Sequence, residues 1–159
     1  ILIMGLPGSG KTTLAGALKQ YLEEHGEISY GRALNDFIGD LGAKVTWFNA
    51  DDIRKKFNDW DFSREGRIRQ SWRMRELADT SNTDYCIVDF VAPLVEMRNN
   101  FRADWTIWMD TIDKGRYEDT NKMFVAPSSF DLRIDTKQAD YWSDIIVHIK
   151  KMTEQFVAN

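Results

Sequence analysis

The chain is 159 residues long and carries 21 lysines and arginines against 25 aspartates and glutamates, a formal charge of -4. That length suits one domain with one substantial core, and the acidic balance argues against a general polyanion-binding surface while leaving room for local basic clusters that grip small anions. The lone cysteine, Cys86, rules out a disulfide within this sequence and points to a reducing cytoplasm, and no apolar run approaches the roughly 20 residues that cross a bilayer.

Ile1 to Met4 form an apolar run with the character of a buried strand; it opens without Met, so further residues are expected before Ile1. Gly5, Leu6, Pro7, Gly8, Ser9, Gly10, Lys11 and Thr12 then fill every fixed position of G-x-x-x-x-G-K-S/T, a Walker A phosphate loop. The residue types follow from the chemistry. Glycines let backbone N–H groups turn inward toward an anion, Lys11 is a mobile cation for the β- and γ-phosphates, and Thr12 offers a hydroxyl to Mg²⁺. A helix over 11–24 presents its positive end to the same phosphates, so Gly5, Gly8, Ser9, Gly10, Lys11, Thr12 and Thr13 are the expected ATP contacts. Its apolar stripe is Leu14, Leu18, Tyr21 and Leu22.

Residues 25–44 repeat the helical spacing at Leu34, Phe37, Ile38 and Leu41. Val45–Phe48 reads as a second strand, 51–58 and 64–79 as helices, Tyr85–Phe90 as a third strand, 93–101 as a helix and Trp105–Asp110 as a fourth strand. Residues 111–130 are polar and patternless, a mobile lid loop. Asp131–Asp135 is a short fifth strand and 138–152 a closing helix. Strands alternating with helices predict a single α/β domain over 1–159, a three-layer P-loop NTPase sandwich with a five-stranded parallel sheet and helices on both faces. Ligands of such sheets collect beyond the carboxyl ends of the strands.

Asn49-Ala50-Asp51-Asp52-Ile53-Arg54 therefore stands at the phosphate end of the second strand. Phosphoryl transfer to an alcohol needs a carboxylate to orient or deprotonate the hydroxyl, or to hold a water of the Mg²⁺ shell, and a cation to offset the transferred charge; Asp51 and Arg54 are the candidates. Asp51 or Asp52 could equally cap the following helix. On the 64–79 helix Arg67 shares an arc with Ser71, Met74 and Ala78 and needs an anion, whereas Arg69 and Arg73 point to a solvated face. Asp89 ends an apolar strand as a Walker B carboxylate on the Mg²⁺ shell would, and Asp110 ends another in the same way.

These residues resemble adenylylsulfate kinase, the family that phosphorylates the 3′-hydroxyl of adenosine 5′-phosphosulfate with MgATP. Its Asp-Gly-Asp-x-x-Arg is similar to Asn49, Ala50, Asp51 and Arg54, and its Gly-Phe-Ser-x-x-Asp-Arg-x-x-Asn to Asp61, Phe62, Ser63, Gly66, Arg67 and Gln70. Ala92-Pro93, Lys114-Gly115-Arg116-Tyr117 and Phe130 to Thr136 match later elements in order, and 25–44 is an insertion. The resemblance implies that Arg54 and Arg67 hold the phosphosulfate, that Phe62 and Phe124 grip the substrate adenine, and that Lys114 closes over the phosphates. It also implies ADP as product and allows a homodimer. Asn49, Gly66 and Gln70 replace Asp, Asp and Asn of the family, all on the acceptor side. Asn49-x-Asp51-Asp52-x-Arg54 fully matches the polynucleotide-kinase pattern, whose acceptor is a 5′-hydroxyl of nucleic acid; the acidic total argues against that partner. A third reading is a nucleotide-gated binding module without catalysis.

Overall fold

The computed structural model describes residues 1–25 and 43–136, with Ile145, Val147, His148 and Lys151. In chain order these hold β1 (Leu2–Met4), α1 (Lys11–His25), β2 (Val45–Asn49), α2 (Ala50–Phe57), α3 (Arg64–Thr80), β3 (Tyr85–Asp89), α4 (Val95–Phe101), β4 (Thr106–Met109), α5 (Glu118–Met123) and β5 (Leu132–Ile134). The strands pair in the order β2-β3-β1-β4-β5, every pairing parallel. The inserted stretch lies outside the described residues over 26–42, and so does most of the closing helix; Ile145, Val147, His148 and Lys151 of it are helical.

Side chains alternate across the strands and divide the core in two. Ile3, Ile87, Ile107 and Met109 face α1, where Leu14, Leu18 and Leu22 recur every fourth residue and are wholly buried. Leu2, Met4 and Val88 face the other way, onto Met74 of α3 and Met97 and Phe101 of α4. Each such side chain contributes roughly 1.5–3 kcal/mol by leaving water, so the sheet is held from both faces. The fold is that of a P-loop NTPase, with the loop after β1 and the ends of β2 and β3 at one edge.

Two local details differ from expectation. The cap of α2 is Asn49, whose side chain accepts from the backbone N–H groups of Asp51 and Asp52, so neither aspartate is needed for capping. Within 111–130 a short helix, α5, replaces the patternless loop. Only Thr120 of its six residues is buried, which left no apolar stripe to read.

Candidate functional site

The loop joining β1 to α1 has the geometry that its glycines allow. Gly8 and Gly10 hold φ of 87° and 101°, where a Cβ would be strained. Lys11 is buried, and its Nζ donates to the Leu6 carbonyl at 3.0 Å. Burial pulls its pKa down to about 8, with Asp89 and Asp51 acting in the opposite direction. Among the described residues Ser9 Oγ is buried without a partner, a polar atom left over inside the loop. Thr13 is exposed and is not on the wall of the cavity described below.

Parallel register sets the neighbouring edge. Asn49 pairs with Asp89 across β2 and β3, and Asp89 with Ile3 of β1. Because its Oδ1 caps α2, the amide of Asn49 is oriented with Nδ2 toward Asp89 Oδ1 (3.0 Å), Asp89 Oδ2 (3.2 Å) and Thr12 Oγ1 (3.3 Å). Trp47 Nε1 donates to Asp89 Oδ2 at 2.6 Å. Burial pushes the Asp89 carboxyl up, while these donors and Lys11 hold it down. Asn49 is thus the hinge of this edge, linking helix cap, loop threonine and strand-end carboxylate. The sequence showed it as a departure from one family's pattern and a match to another's, and its place against Asp89 went unread because the register that sets it is not written in either segment alone.

Lys11, Thr12, Asn49, Asp51 and Asp89 open onto a cavity of about 570 Å³, whose remaining wall includes Trp60, Phe62, Arg67, Arg116, Tyr117 and Thr120. Arg67 is there, as its helical arc implied. Its Nε donates to the Phe62 carbonyl (2.8 Å) and its Nη2 to Thr120 Oγ1 (2.9 Å) and to the exposed Asp119 (3.4 Å). Its one solvent-side ion pair is long, so an anionic ligand can compete for the guanidinium. Phe62 lines the cavity too, with Arg54 4.3 Å from its ring centroid.

Other predicted residues are elsewhere. Arg54 is buried and not on this cavity; its Nη1 donates to the carbonyls of Asp59 (2.9 Å) and Asp61 (3.1 Å), so it ties down the 58–62 turn. Phe124 packs against the α3–α4 core with Arg98 5.5 Å from its ring, because Val125 N–H bonds the Pro93 carbonyl and draws the chain inward. Burial lowers that arginine to about 10. Lys114 is exposed and off the cavity wall, which Arg116 reaches instead. Arg73 is not on a solvated face: it is bound to Asp59 at 3.0 Å and Gln70 at 2.9 Å, while the half-exposed Arg69 takes Asp59 and Asp61. Together these guanidinium groups hold the Asp59 carboxyl far below the usual range. Asp52 is exposed and off the cavity, and Asp110 is paired with Arg133 at 2.6 Å. Trp60, Arg116, Tyr117 and Thr120 were missed, since only the 58–62 turn brings in the first and only the path of the lid the other three.

Among the described residues no three acidic, histidine or cysteine side chains form a protein-only metal cage. The oxygens of Thr12, Asp89 and Asp51 do suit Mg²⁺, a hard cation that is held by one or two carboxylates together with phosphates and water. If Lys11 holds phosphate, binding is expected to depend on pH. A phosphate held by Lys11 favours the charged amine and raises its pKa above 8, so affinity for ADP is expected to fall as pH rises past 8, by up to about tenfold per unit. Titration calorimetry from pH 6.5 to 9.5 checks this; a flat profile would detach Lys11 from the ligand.

A family model described as chromatin associated protein KTI12 matches residues 1–104, from β1 through α4 and on to the edge of β4. The chain belongs to the KTI12 family. The match takes in the phosphate loop, Asn49, Asp51, Arg67 and Asp89, and ends before the lid. No curated protein sequence matches the chain. Among solved structures it is similar to the Mycobacterium tuberculosis APS kinase CysC in complex with AMPPNP and APS, at 19% identity and a TM-score of 0.66, over 94% of this chain and 96% of that one. It is also similar to a hexameric APS kinase from Thiobacillus denitrificans, at 23% identity and a TM-score of 0.66, over 96% of this chain and 29% of that one. At such identities the likeness is one of fold, that of a P-loop NTPase. No described helix is long and apolar enough to cross a membrane.

Proposed function

We propose that this KTI12-family chain is a MgATP-dependent phosphotransferase acting on a hydroxyl of a nucleotide-like acceptor. The observation that carries the reading is the shared cavity, in which Asp51 lies with Lys11 and Thr12 on one side and the aromatic and guanidinium wall of Trp60, Phe62 and Arg67 on the other. Flat aromatic faces suit a nucleobase and Arg67 suits an attached anion. Thr12, Asp89 and Asp51 would hold Mg²⁺, which when bound would supply charge neutralisation to the phosphates. Lys11 leaves the Leu6 carbonyl for the phosphates. Asp51 accepts the proton of the acceptor hydroxyl as its oxygen bonds to the γ-phosphorus, the bond from that phosphorus to the bridging oxygen breaks, and ADP departs. Catalysis is positioning and charge compensation, with the 111–123 lid excluding water.

For the acceptor itself, adenosine 5′-phosphosulfate retains Phe62 and Arg67 of its family's pattern. Arg54 and Phe124 have other duties, and Asn49 favours the 5′-hydroxyl of a nucleic acid. An aspartate at 49 could not donate to Asp89 and Thr12 as the amide does. The family's description as chromatin associated gives the nucleic acid a second reason. ADP release by the purified protein is to be compared with the phosphosulfate, with a 5′-hydroxyl oligonucleotide and with neither. Stimulation by one acceptor names it. Release that neither stimulates leaves a nucleotide-gated module and overturns the transferase reading. Arg67→Ala is expected to raise the KM of the stimulating acceptor about ten- to a hundredfold with the KM for ATP unchanged; unaltered acceptor kinetics would make Arg67 purely structural.

A further inference from the structure

Asp89 is buried at the end of β3, and its two oxygens are not held alike. Two residues apart on β2, Trp47 and Asn49 project to the same face of the sheet, where the register sets them against Ile87 and Asp89. Oδ2 accepts from Trp47 Nε1 at 2.6 Å and from Asn49 Nδ2 at 3.2 Å. Among the described residues Oδ1 accepts from Asn49 Nδ2 alone, at 3.0 Å. Each carboxylate oxygen offers two lone pairs, so Oδ2 is filled while Oδ1 keeps one acceptor site. Asp89 lines the cavity; Trp47 does not, so Trp47 can act on a ligand only through the carboxylate. Its half-buried ring lies against α1, one turn beyond Thr12: a Cβ at Gly16 would stand 3.7 Å from Cζ3 and 3.8 Å from Cη2, ordinary contact distances. That packing asks for a flat apolar ring, which phenylalanine would also supply. The nitrogen is what the carboxylate uses.

We propose that Trp47 is a positioning residue for magnesium-dependent nucleotide binding: its indole N–H occupies Asp89 Oδ2 and so leaves Oδ1 as the oxygen free to engage Mg²⁺ or a water of its shell. This rests on the reading of the chain as a MgATP-binding protein. Hydrogen-bond partners of a metal-binding carboxylate typically set its affinity for the cation by about ten- to a hundredfold, because they fix which oxygen is presented and in which direction. Without the indole donor the two oxygens become nearly equivalent, the carboxylate can turn about its Cβ–Cγ bond, and the presented direction is lost. The phosphate loop and Lys11 grip phosphate without Asp89, so ADP alone should be indifferent to the change.

The test is calorimetric binding of ADP, once with magnesium chloride and once with EDTA in its place, to wild type, Trp47→Phe, Trp47→Leu, Trp47→His and Trp72→Phe, with melting curves alongside. The quantity read is the gain in affinity that magnesium gives. Trp47→Phe and Trp47→Leu both lack the donor and fill the space differently; each should cut that gain about tenfold or abolish it, while affinity in EDTA stays within about threefold. Either one decides the matter if the other does not fold. Trp47→His should recover part of the gain, since its Nε2 is as many bonds from Cβ as the indole nitrogen. Trp72, exposed on α3 and off the cavity, is the control and should change nothing. An undiminished gain in the donor-free variants, an equal loss with and without magnesium, or a Trp47→His protein no better than they are would overturn the assignment while leaving nucleotide binding intact. So would a wild type that binds ADP with no magnesium gain. A wild type that binds ADP under neither condition would remove the MgATP reading and this inference with it.

Discussion

Lys11→Ala is expected to reduce nucleotide-dependent turnover by on the order of a thousandfold or more while leaving the melting temperature unchanged or raised. The two halves of that result have one cause. Lys11 is buried at the loop with its pKa drawn down to about 8, so at neutral pH the folded protein carries a charge in a site that disfavours it. Its unfolded value is 10.5. Below pH 8 both states hold the proton; between 8 and 10.5 the folded state releases it first, and stability rises with pH. Alanine removes the charge and the rise together, and it is a good residue for the first turn of α1. Melting temperatures at pH 7 and 9.5, wild type against variant, should therefore converge as pH increases. A variant that melts far below wild type at pH 7 would show that Lys11 supports the loop instead of waiting for phosphate.

The division between what was legible in the chain and what was not follows the reach of each signal. The phosphate loop, the strands and α1 and α3 depend on spacing within a dozen residues, and their positions came out within a residue or two. Arg67 was also legible, because helical phase alone put it on the buried arc. Arg54 and Arg73 were misplaced for a shared reason. Both answer to the 58–62 turn, whose carbonyls and Asp59 carboxylate fold back over α2 and α3. Nothing in the local pattern gives that path. Asn49 shows the complementary failure, a residue whose type was noted and whose role required the β2–β3 register. Lys114 and Arg116 differ by two positions, and only Arg116 lines the cavity, next to the Gly115 backbone that Asn121 holds.

Restoring the adenylylsulfate kinase residue at position 66 should damage the protein. A Cβ there would lie 2.2 Å from the Asp61 carbonyl oxygen and 2.5 Å from its Cγ, contacts that the flexible end of a side chain cannot relieve because one of them is backbone. Gly66 N–H also bonds Ser63 Oγ, the cap of α3, at 3.1 Å. An aspartate adds a second carboxylate beside Asp61, which already uses its charge on Arg69. Overpacking and like charge together should cost about 3 kcal/mol or more, lowering the melting temperature by about 6–12 °C. Gly66→Ala separates the terms, since it keeps the clash and omits the charge. If the glycine is required by the turn, alanine is also strongly destabilising and neither variant gains activity toward adenosine 5′-phosphosulfate. A stable Gly66→Asp protein with new phosphosulfate turnover would mean that the turn can open, and that the acceptor wall is one substitution away from the sulfate nucleotide.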